Sequence, residues 1–124
     1  MKSEPPADKL FIEHMLECMD RIAEYAGARR DVFVGSRMIQ DAVIRNLQTL
    51  AESSQRLSES ARESEPGIDW RAIAGFRNVL VHGYLGVDAE IVWRVVEQDL
   101  PGLRAALRRM RLAQETRPTG GNDL

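Results

Sequence analysis

Arg77, Asn78, His82 and Tyr84 fall within eight residues, in the run Arg77-Asn78-Val79-Leu80-Val81-His82-Gly83-Tyr84. RNA carries its own nucleophile, the 2′-hydroxyl. Its cleavage needs a base to take that proton, an acid to protonate the leaving 5′-oxygen, and positive charge against the developing phosphorane. Histidine suits both proton-transfer roles because its pKa lies near neutrality. Arginine suits the third because its guanidinium stays charged and grips phosphate through parallel hydrogen bonds. Asn78 can orient the phosphate or hold an imidazole in one tautomer. The Tyr84 phenol offers a group that a partner can modify to switch the site off.

The same residues have blander uses. His82 can close the C-terminus of a helix, Arg77 can pair with a surface carboxylate, and Tyr84 can sit half-buried with its hydroxyl at the surface. Lys9 precedes His14 by the same interval without suggesting a function. Geometry adds a difficulty, since residues five apart on a continuous helix diverge by about 140°. Either Gly83 ends the helix and lets His82 swing back, or the site is shared across a two-fold dimer. The second arrangement also supplies two histidines, one as base and one as acid.

The elements that must position these groups are helical. The chain has 124 residues, 44% apolar and 29% charged, a balance that supports one globular domain with its own core. Net charge is −2, so any nucleic-acid surface must be local. Arg104, Arg108, Arg109, Arg111 and Arg117 form a candidate basic surface with only Glu115 among them. Cys18 is the single cysteine, which excludes an internal disulfide and a paired-cysteine zinc site, and its apolar neighbours suggest a core position. No cofactor or metal is expected. The N-terminus lacks a signal-peptide pattern and no apolar run approaches a membrane span, so the expected location is cytoplasmic, without membrane contact.

Residues 1–7 read as a disordered lead, 8–112 as the folded domain and 113–124 as a flexible tail. Asp8 is a candidate cap for a first helix carrying Phe11, Met15, Cys18, Met19, Ile22 and Ala26, ended by Gly27. Val32-Phe33-Val34 is too short for a strand and predicts an apolar plug. Ser36 caps a second helix to about Leu57, and Ser58 to Gly67 reads as a loop. Asp69 and Asp88 cap a third and a fourth helix; Trp70 and Trp93 are read as core or interface residues. Pro101 either kinks the last helix or starts a fifth. The fold class is an all-α bundle of four to five helices.

Further residues around the motif carry a resemblance. Asp69-Trp70-Arg71, Phe76 through Tyr84, Gly86-Val87-Asp88, Val92-Trp93 and Asp99-Leu100-Pro101 resemble the HepT-like toxins of the HEPN superfamily. Asp41-Ala42-Val43-Ile44-Arg45-Asn46-Leu47 is similar to the second-helix signature of that family, and the likeness covers about residues 8–112. The resemblance implies an all-α homodimer and a metal-independent endoribonuclease whose Arg77 and His82 line a cleft at the dimer interface, with Asn78 supporting. It implies a toxin of the type VII kind, encoded beside a minimal nucleotidyltransferase antitoxin that adenylylates Tyr84 from ATP. A higher hetero-oligomer of toxin and antitoxin is a further assembly that the resemblance allows. The alternative is a non-catalytic helical module that docks the nucleotidyltransferase.

Overall fold

Ile12, Met15, Met19 and Ile22 recur at three- and four-residue steps and are at most 1% exposed, which makes the first helix the spine of the core. In the computed structural model, residues 5–27, 29–83 and 86–116 are described. Their regular elements are all helical: α1 (Pro5–Ala26), α2 (Arg30–Val34), α3 (Arg37–Gln55), α4 (Glu59–Glu63), α5 (Trp70–His82), α6 (Ala89–Arg94), a π-helical turn (Val95–Asp99) and α7 (Leu100–Thr116). The all-α bundle expected from the sequence is therefore the fold, with more and shorter pieces. Residues 5–7, assigned to a disordered lead, are helical, and α7 runs past residue 112 to Thr116.

α1 packs on α3 and α7, and α5 packs on α3. Each large apolar side chain buried along these seams contributes about 1.5–3 kcal/mol. α2 takes the place of the expected plug. Its Phe33 is fully buried, with its ring centroid 5.5 Å from that of Trp93 on α6. Arg30 pairs with Glu90 across the same junction.

Ser36, Asp69 and Asp88 cap as expected, accepting from the backbone N–H of Ile39, Ala72 and Glu90. Asp8 does not cap α1. It is 1% exposed inside the helix, and its carboxylate accepts from the Ser58 N–H at 2.7 Å and the Ser58 hydroxyl at 2.6 Å. Ser58 Oγ accepts in turn from Ala61 N–H, so the stretch expected to be loop contains a capped helical turn, α4. Leu57 and Ala61 are buried and hold that turn against the bundle.

Pro101 stands at the start of α7, as its second residue, and the helical path from α6 reaches it through the π turn. Proline has no N–H and its ring crowds the carbonyl four residues back. The π turn absorbs the mismatch, with Leu100 N–H donating to the Val95 carbonyl. Among the described residues no helix is long and apolar enough to cross a membrane.

Candidate active site

α5 carries the motif and is fixed at both ends. Asp69 caps its start, and Trp70 Nε1 donates to the Arg62 carbonyl at 3.0 Å. Its inner face sets Ile73, Phe76 and Leu80 against the core. At its C-terminal turn the Leu80 carbonyl accepts from Gln48 Nε2 of α3 at 3.3 Å, supplying a partner where the helix is ending. Gly83 follows as the C-cap, and Gly86 N–H closes a turn onto the Gly83 carbonyl at 3.0 Å. Gly86 has φ +112°, a conformation only glycine adopts without strain.

Arg77 lies on the flank of α5 that faces the C-terminal half of α3. Its Nε and one terminal nitrogen donate to Glu52 Oε2 at 3.3 and 3.0 Å, and the other terminal nitrogen lies 3.4 Å from Asn78 Oδ1. The side chain is 33% exposed. The carboxylate partner of the blander reading therefore exists, and Asn78 lies beside the guanidinium. Part of the guanidinium's donor set remains uncommitted.

Arg77, Asn78, Ala74, Glu52, Gln55 and Arg56 line an open cleft of about 390 Å³ between α3 and α5. Glu52 and Arg56 were not singled out from the sequence. The available signal was that Gln48, Glu52 and Arg56 repeat at four-residue steps on α3, and the antiparallel packing sets Gln48 against Leu80 and Glu52 against Arg77.

His82 is the last residue of α5 and is exposed. Because the helix includes both residues, Arg77 and His82 leave it about 140° apart. Gly83 ends the helix only after His82, so the backbone of His82 keeps the helical divergence from Arg77. Tyr84 lies outside the described residues.

The remaining candidates resolve as structural parts. Cys18 is buried, and burial pushes its thiol pKa up, away from the reactive thiolate. His14 Nδ1 lies 3.2 Å from Ser53 Oγ between α1 and α3. The basic C-terminal surface is partly neutralised, because Arg104 pairs with Asp20 and Arg109 with Glu65. Arg108 stays exposed, and Arg117 lies outside the described residues. Among the described residues, no group of three or more His, Cys, Asp and Glu side chains is placed to hold a metal ion.

A family model described as ribonuclease HepT-like matches residues 15–110, which include the whole motif. A Methanocaldococcus jannaschii protein provisionally named an RNase is 32% identical over 77% of this chain and 89% of its own length. A Thermococcus cleftensis protein named a probable ribonuclease HepT is 31% identical over 83% of this chain and 94% of its own. A Caldanaerobacter subterraneus protein, also provisionally named an RNase, is 30% identical over 79% and 88%. No solved structure matches significantly.

Proposed function

Since the chain belongs to the HepT-like ribonuclease family, we propose that it is a metal-independent endoribonuclease, the toxin of a toxin–antitoxin pair, with Arg77 and His82 as its catalytic residues. The observation that carries this reading is the arrested guanidinium of Arg77. It is held at a cleft by a single carboxylate, with donors left over for a phosphate. One histidine takes the 2′-hydroxyl proton as the oxygen attacks phosphorus. A second protonates the departing 5′-oxygen. The products are a 2′,3′-cyclic phosphate and a 5′-hydroxyl, and the Arg77 charge offsets the phosphorane between them.

The divergence of Arg77 and His82 on α5 supports a homodimer, in which an isologous interface brings both copies of the motif to one cleft. Regulation acts at Tyr84. A cognate minimal nucleotidyltransferase moves AMP from ATP to the phenol oxygen and releases pyrophosphate. The added phosphodiester then competes with RNA for Arg77, and the nucleotide obstructs the cleft.

The test is cleavage of a mixed RNA pool in excess chelator by the wild-type protein and by His82→Ala, with the mass of the Tyr84 peptide measured in both. Cleavage by wild type alone is the expected result. Absence of cleavage by protein carrying unmodified Tyr84 would overturn it in favour of a docking module for the nucleotidyltransferase. Tyr84→Phe should cleave normally and resist silencing by the partner.

A further inference from the structure

The cleft beside Arg77 contains a second arginine to which no role has been given. Arg56, the C-cap residue of α3, follows Glu52 by four residues, about 6 Å along the helix axis. Both side chains line the same cleft as Arg77. Arg77 is tied to Glu52, whereas among the described residues no carboxylate forms an ion pair with Arg56. Its guanidinium lies instead over the ring of Phe11 on α1, with Cζ 6.0 Å from the ring centroid. That contact orients the planar group without consuming its hydrogen-bond donors. With Glu52 as the one acid, the cleft holds two arginines and a net charge of +1.

Resting on the ribonuclease reading above, we propose that Arg56 is a second phosphate-binding group of this cleft. It takes the backbone phosphate next to the one gripped by Arg77, on a single RNA strand. Two guanidiniums spaced along one groove fix the line of the strand as well as its position, which a lone arginine cannot do. The exposed amides of Gln55 and Asn78 flank the pair and can donate to sugar hydroxyls or phosphate oxygens. Phe11 supports the site by keeping the Arg56 guanidinium against α1 through its ring face, a contact that uses none of the hydrogen-bond donors.

The experiment is equilibrium binding of a fluorescein-labelled oligouridylate, followed by anisotropy across a salt series. Every protein carries His82→Ala so that the probe stays intact. Arg56→Gln should raise Kd about tenfold at low salt and lower the slope of log K against log salt by about 0.7, the value for one phosphate contact on a single strand. Phe11→Leu should raise Kd severalfold although it removes no charge. Arg29→Gln, which neutralises a 72% exposed arginine at the far corner before α2, should move neither quantity by as much. Thermal midpoints of each variant show that the fold persists. An Arg56→Gln protein with unchanged Kd and slope, alongside an Arg77→Gln protein that binds weakly, overturns the Arg56 site and leaves the ribonuclease reading standing. Equal losses in Arg56→Gln and Arg29→Gln overturn it in favour of net charge. Failure of the His82→Ala parent to bind the probe at all overturns both.

Discussion

On the proposed reading Arg77 receives a phosphate, yet a carboxylate already holds it. The Arg77–Glu52 pair is partly solvated, at 33% and 51% side-chain exposure, and such pairs contribute only about 0–1 kcal/mol. An incoming phosphate can therefore displace or share it. The value of Glu52 lies in orientation, since two N–H groups on one carboxylate oxygen restrict the guanidinium before substrate arrives. Glu52→Ala should lower kcat about tenfold with KM little changed, and Glu52→Gln should recover most of it because the amide oxygen still accepts. Steady-state cleavage of a defined oligonucleotide checks both; a larger effect of Glu52→Gln than of Glu52→Ala would sink the argument. Arg77→Lys should lose at least as much as Glu52→Ala, because an ammonium cannot serve Glu52 and a phosphate through one planar fork. At this scale the sequence exposes residue types and spacing within α5. It does not expose Glu52, because a partner 25 residues away on another helix leaves no mark on local spacing.

The end of α5 is set by steric fit. A Cβ on Gly83 would stand 2.9 Å from Val87 Cγ2 and 3.1 Å from the Val79 carbonyl oxygen. The valine can rotate, but the carbonyl is part of the helix. Gly83→Ala should therefore cost roughly 1–3 kcal/mol of stability. A double-mutant cycle with Val87→Ala should return a favourable coupling, read from urea unfolding; strict additivity would show that the crowding is relieved elsewhere. A second tie joins the segment before α5 to α7, where Arg109 donates to both Glu65 oxygens at 3.1 and 2.7 Å. The hydrogen bonds from Arg109 hold the Glu65 pKa below the ordinary carboxylate range. A depressed folded-state pKa gives stability that is present above the unfolded value, about 4.3 for glutamate, and is lost as pH falls through the folded one. Wild type should melt above Glu65→Gln at neutral pH, and the two melting curves should converge in acid. Caps such as Ser36, Asp69 and Asp88 are legible because the capping bond is local. Asp8 misleads because its carboxylate is used fifty residues away, at Ser58, where it also helps to set the α4 turn. The π turn before Pro101 was legible only as a disturbance, since the number of residues between backbone partners is settled by packing.

At the scale of the whole molecule, the proposed two-histidine site calls for a second copy of the chain. Helical periodicity made the all-α bundle legible from sequence, because every long helix needs an apolar face and shows it at three- and four-residue steps. The relation between two copies has no such periodic signature. What the single chain does impose is a constraint: α5 is helical through His82, so Arg77 and His82 leave it about 140° apart. Two histidines at one phosphate then require two chains. Such a site predicts how activity falls when wild-type protein is mixed with His82→Ala under conditions that exchange subunits. If a single cleft needs both histidines, only dimers of two wild-type chains cleave, and activity follows the square of the wild-type fraction. An equimolar mixture at constant total protein then keeps about a quarter of full activity. If each chain contributes an independent site, or if each cleft pairs one arginine with one histidine, activity follows the fraction itself and the mixture keeps about half. A linear titration would remove the shared-histidine mechanism. A quadratic one would also explain how a single AMP on one chain could silence a dimer, since both copies would then stand at the same phosphate.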